Sequence, residues 1–102
     1  MAEVELSRAE EEHRLIEDTA RRLFEHWYQA DALRLILLAG SETQKNQLRQ
    51  ADLLYHSALL SLQFDQRRRA VRCLVAFQQV CRQVFAPQAL DLARQTLEQQ
   101  MC

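Results

Sequence analysis

The chain is predicted to fold as an all-α antiparallel bundle, with three long helices and a short C-terminal helix arranged as helical hairpins. One Gly and one Pro in 102 residues leave few places for tight turns and none of the turn chemistry that strands need. Apolar residues recur at spacings of three and four through most of the sequence. Helix start and stop signals fall where that pattern pauses. A chain of this length forms one domain, 1–102, and residues 1–6 ahead of the first start signal are expected to be a flexible lead-in.

The first helix is expected to start near Arg8. Ser7 with Glu10 three residues on has the reciprocal capping pattern, each side chain able to reach the other's backbone N–H. From there His13, Ile16, Ala20, Leu23, Trp27 and Ala30 mark one face, flanked by Phe24, Tyr28, Leu35 and Leu38, until Gly40 supplies a C-terminal stop. One helix of nearly 50 Å is the expectation at about 1.5 Å per residue, with Gln29–Asp31 the place where it would break.

Ser41 and Gln44 repeat the capping pattern directly after Gly40, so a second helix folds back on the first. Its inward positions are Leu48, Ala51, Leu54, Tyr55, Ala58, Leu59 and Leu62. Asp65 is a fair N-cap for a third helix. Arg67, Arg68 and Arg69 in its first turn oppose the helix dipole. Either the second and third helices are one rod, or something acidic answers those three Arg. The third helix buries Ala70, Cys73, Leu74, Phe77, Val80, Cys81, Val84 and Phe85. Pro87 then suits the first position of a final helix, with Ala89, Leu90, Ala93, Leu97 and Met101 inward. No internal repeat falls into register.

Thirteen basic and fourteen acidic residues give a net charge of −1, too little for strong non-specific attraction to nucleic acid or anionic membrane. The charge is unevenly placed: residues 1–40 hold nine acids and five Arg, residues 65–102 three acids and six Arg. The N-terminus has no basic stretch followed by an apolar one, and the longest apolar run, Leu35 to Ala39, is far shorter than a bilayer requires. Neither a signal peptide nor a membrane span is expected. Cys73, Cys81 and Cys102 make an odd count without a C-x-x-C pair, which reads as free thiols in a reducing compartment, the cytoplasm. Cys73 and Cys81 are eight residues apart on one stripe, about 12 Å along a helix and too far for a disulfide. Cys102 is expected to be exposed at the terminus.

The residue patterns that carry catalysis are not assembled. A single Gly rules out a Gly-rich phosphate loop and a dinucleotide fingerprint. Glu10-x-x-His13 has the spacing of carboxylate-bridged metal bundles, but a second such pair is missing, so no metal is expected. Asp52 and His56 form a local i, i+4 pair. No catalytic, cofactor or metal-binding residue is assigned, and the chain is not expected to be an enzyme.

What remains is an excess of apolar surface. Leu35 to Ala39 point in every direction around the first helix, and Leu53, Leu54, Leu59 and Leu60 cover more than one stripe of the second. Trp27, Tyr28, Leu33, Leu37, Leu53 and Leu60 are therefore the expected partner-binding residues, although helical spacing also places Trp27 among core positions. Arg67, Arg68, Arg69 and Arg72 form a charged patch. The leading expectation is a protein-interaction module, an adaptor, assembly subunit or small chaperone that binds a partner helix. A homo-oligomeric scaffold ranks second. A nucleic-acid-binding regulator using the Arg patch ranks third.

Overall fold

The computed structural model describes residues 2–101, with side chains from Ser7 to Met101; the expectations for Cys102 and for the side chains of residues 1–6 lie outside the described residues. Five helices follow one another: α1 (Ala2–Trp27), α2 (Ala30–Ala39), α3 (Glu42–Gln63), α4 (Arg67–Val84) and α5 (Pro87–Met101). The fold is all-α, without a strand among the described residues. No described helix is long and apolar enough to cross a membrane.

The antiparallel hairpin of α3 and α4 is the frame. Helix α1 lies against one side of it, meeting Arg67 through Glu12, Leu74 and Ala58 around Ala20, and Phe77 and Phe85 through Tyr28. The partners on α4 advance as α1 does, while those on α3 recede from Ala58 beside Ala20 to Leu48 beside Tyr28, so α1 runs parallel to α4 and antiparallel to α3. Ala20, Ala51, Ala58 and Ala70 are fully buried, and such small side chains let neighbouring backbones approach closely. Helices α2 and α5 pack together at the end of the hairpin where α3 begins. The molecule is a rod of 68 × 18 × 17 Å with a radius of gyration of 17.1 Å, against about 13 Å for a globular chain of 100 residues.

The inward positions of α3 and α4 follow the predicted stripes: Leu48, Ala51, Ala58 and Leu62 are buried, as are Ala70, Leu74, Phe77, Cys81, Val84 and Phe85. The capping box at Ser41 is complete. Gln44 N–H donates to Ser41 Oγ at 3.1 Å and Ser41 N–H to Gln44 Oε1 at 2.8 Å. Gln44 Nε2 also donates to the Ala89 carbonyl at 2.9 Å, which ties α3 to α5. Pro87 opens α5 as expected.

Several expectations are corrected. The first helix is two helices, separated at Tyr28 and Gln29, with Gln29 extended at φ −82° and ψ 132°. The break lets α1 follow the hairpin while α2 turns Ile36 into the same core cluster as Phe85 and Leu48. Helix α1 begins at Ala2, so Ser7 is interior to it and caps nothing. Gly40 ends α2 in extended rather than left-handed backbone, φ −69°. Its lack of a side chain matters because a Cβ there would stand 2.5 Å from the Ile36 carbonyl oxygen.

Asp65 is not the N-cap of α4, a position held by Gln66. It adopts φ 56° and closes α3: Gln66 N–H bonds to Ser61 O at 2.8 Å and Asp65 N–H to Leu62 O at 3.1 Å, the paired bonds of a Schellman motif. Met101, expected inward, is exposed, because α5 buries only Ala93.

Candidate functional site

Six aromatic rings hold the hairpin to α1. Tyr28 is centred 4.6 Å from Phe24 and 5.9 Å from both Phe77 and Phe85, and Tyr55 stands 4.7 Å from Phe24 and 5.7 Å from Phe77. Trp27 stacks on Phe85 at 6.4 Å. The Tyr28 hydroxyl donates to the Leu48 carbonyl at 3.4 Å, and its acidity is suppressed by burial first, then by the Asp52 carboxylate and Cys81. Burial likewise pushes the Cys81 thiol up to about 12. The indole N–H of Trp27 is buried without an acceptor, an omission that costs about 1–3 kcal/mol and that the ring's apolar contacts must outweigh.

The residues expected to bind a partner therefore divide. Trp27, Tyr28 and Leu33 pack against the main core cluster, whereas Leu37, Leu53 and Leu60 are exposed. Leu53 and Leu60 share a convex stripe of α3 with Phe64, the aromatic residue outside the cluster. Leu37 and Leu38 are exposed on α2, and Leu38 lines a hollow with Leu92 of α5.

One concave apolar surface lies between α2 and α5, about 450 Å³ lined by Leu35, Leu38, Leu90 and Leu97 with Asp31, Arg34 and Arg94 among them; a longer one lies between α1 and α4. Two adjoining hollows of about 480 and 230 Å³ share Leu15, Ile16 and Val71. Their floor includes Ile16, Leu23 and Leu74, and their walls are Leu15 and Thr19 on one side and Val71, Val75 and Gln78 on the other. Leu15, Val71 and Val75 are 68%, 45% and 54% exposed. Sequence reasoning missed this groove. Its signal is the width of the stripes: Leu15 adjoins Ile16, and Val71 and Val75 adjoin Ala70 and Leu74, one position beyond what two packed helices cover.

Arg67 closes one end of the groove. Its Nη1 donates to Glu12 Oε2 at 2.8 Å, and its Nε lies 3.7 Å from Asp65 Oδ1. These are the acids that answer the start of α4. Arg68 and Arg72 also line the groove, and Arg68, Arg69 and Arg72 are exposed with no ion pair to another described residue.

The chain matches no family model, and no curated protein or solved structure shows significant similarity to it.

The remaining polar pairs are local. His13 reaches Glu17 at 3.5 Å rather than Glu10, and His56 reaches Asp52 at 3.5 Å. Among the described residues no group of three or more His, Cys, Asp or Glu converges on a point. Cys73 is half-buried and Cys81 buried, both as free thiols.

Proposed function

We propose that the chain is a non-catalytic docking module, an adaptor, assembly subunit or small chaperone, that receives a helix of another protein in the α1–α4 groove. The observation that carries this reading is the groove itself. Helices α1, α3 and α4 make three sides of a bundle, and the line between Leu15 and Val75 is where a fourth helix would bury the apolar surface they leave open. The α3 stripe lacks a second wall, and the hollow of about 450 Å³ between α2 and α5 is interrupted by Asp31, Arg34 and Arg94, so both hold an apolar helix less well.

Surface area supports the same reading. A folded monomer of 12.0 kDa exposes roughly 6,000 Å² by the usual scaling with mass, while this chain exposes 7539 Å². The excess is more than the roughly 800 Å² that each partner contributes to a standard interface. Free thiols at Cys73 and Cys81 suit a reducing compartment such as the cytoplasm.

A photo-crosslinking residue placed singly at Leu15, Val75 and Leu53, in the cells that make the protein, tests the reading. Crosslinks to one and the same polypeptide from positions 15 and 75, and none from 53, are expected. Crosslinks from 53 alone, or only to a second copy of this chain, would reject it.

A further inference from the structure

Resting on that docking reading, we infer that the groove is built for an acidic amphipathic helix, with apolar residues seated between the walls and carboxylates on the flank beside α4 meeting its arginines. Helix α4 carries five Arg and no acidic residue. Two of them, Arg68 and Arg82, stand seven residues either side of Val75, on its own face of the helix. On the facing wall Arg8 and Arg22 stand seven residues either side of Leu15. All four are exposed, and Arg22, Arg68, Arg72 and Arg82 make no ion pair with another described residue. Glu12, the acid that lines the groove, is already satisfied by Arg67. Glu11 and Asp18, four residues before and three after Leu15, share the α1 rim with Arg8 and Arg22, so that rim is mixed in charge and the basic one is α4.

The result is an apolar trough with a basic rim along α4. Holding Arg68 and Arg69 in the first turn of α4, against the positive end of its dipole, is unfavourable in the free protein. Carboxylates arriving beside them relieve that repulsion, so the free molecule is electrostatically incomplete where the partner is to sit. A second copy of this chain is poorly matched as occupant. Its exposed α3 stripe, Leu53, Leu60 and Phe64, has Asp52 and Asp65 beside it, engaged by His56 and Arg67. A nucleic-acid backbone would meet the arginines but leave Leu15, Val71 and Val75 uncovered.

Designed peptides test this directly, with the whole chain titrated by fluorescence anisotropy at low and moderate salt. One 18-residue helix carries a Leu stripe flanked by Glu, a second the same stripe flanked by Lys, and a third the Glu flanks with Ser replacing Leu; a DNA duplex is the fourth probe. The Leu–Glu peptide is expected to bind at least about tenfold tighter than the Leu–Lys peptide, with affinity falling as salt rises. Arg68→Glu/Arg72→Glu/Arg82→Glu should reverse that order with little net change in the circular-dichroism melt, the gain at Arg68 in the first turn offsetting the loss of Arg82 in the last, and Val75→Glu should abolish binding of both.

Equal binding of the Glu- and Lys-flanked peptides would overturn the charge inference and leave helix docking standing. Failure of both Leu-striped peptides would remove docking as well. Binding of the Ser-striped peptide or the duplex as tightly as the Leu–Glu peptide would mean an anion-binding face, and would also overturn the inference.

Discussion

Arg67 on α4 and Glu12 on α1 share a hydrogen-bonded ion pair of 2.8 Å across 55 positions of sequence. The pair answers one of three arginines that begin a helix at its unfavourable end, and it joins the two walls of the groove. The Arg67 side chain is 31% exposed and the Glu12 side chain 63%, so solvent screens the contact. Glu12→Gln and Arg67→Gln are each expected to cost less than about 1 kcal/mol, and a double-mutant cycle should return a coupling of roughly 0.2–1 kcal/mol that shrinks in high salt. Chemical denaturation of the four proteins measures it.

Gly40→Ala is expected to destabilise by about 1–3 kcal/mol, the usual cost of forcing atoms into a packed site. The new methyl would meet the Ile36 carbonyl oxygen at 2.5 Å and its Cγ2 at 2.9 Å. Backbone of a helix whose Ile36 side chain is fully buried yields poorly. For a domain of this size each kcal/mol lowers Tm by roughly 4–8 °C, which a thermal melt will read.

Asp65 occupies the left-handed position at the end of α3, where Gly is favoured and β-branched residues are strained. Asp65→Gly should leave stability unchanged or raise it by up to about 1 kcal/mol, because the pair it forfeits with Arg67 is long and exposed. Asp65→Val should lower it by roughly 1–2 kcal/mol. Equal effects from the two substitutions would contradict the backbone explanation.

Stability should fall in alkali. The Cys81 thiol is raised from its ordinary 9.0 to about 12, so in the folded protein it keeps its proton after the unfolded chain has lost it. Between about pH 9 and 12 the native state then binds more protons than the unfolded state, and unfolding free energy declines as pH rises. Tyr28, displaced in the same direction, adds to the decline above its ordinary value. Cys81→Ala should flatten the lower part of the curve, and Tyr28→Phe the upper part. At pH 8 Cys81 should resist alkylation while half-buried Cys73 reacts faster, as peptide mass spectrometry after timed alkylation will show.

The helical faces were legible because burial on α3 and α4 follows spacing alone: Leu48, Ala51, Ala58 and Leu62 against Ala70, Leu74, Phe77 and Cys81. The Ser41 cap was legible too, since it depends on two residues three apart. The interruption after Trp27 was readable as a place and not as an event, because no Gly or Pro marks it. What decides it is tertiary: Tyr28 is drawn among Phe24, Phe77 and Phe85, while α2 brings Ile36 to the same cluster.

The groove was hidden for a related reason. Leu15, Val71 and Val75 look like extra width on stripes that a compact bundle would cover. Only the placement of α1 along one side of the hairpin leaves them open together. The same placement takes Trp27 and Tyr28 into the interior, although their composition suits an interface. Leu37, Leu53 and Leu60 are exposed as the breadth of apolar residues suggested, on surfaces without a second wall.

Native mass spectrometry of the protein purified gently under reducing conditions from the cells that make it decides whether a partner occupies the groove. One 12.0 kDa chain bound to one different polypeptide is expected, with the complex lost in Val75→Glu and retained in Leu53→Glu. A bare monomer, a mass that is an integer multiple of this chain alone, or a complex that survives Val75→Glu would contradict partner docking in the groove.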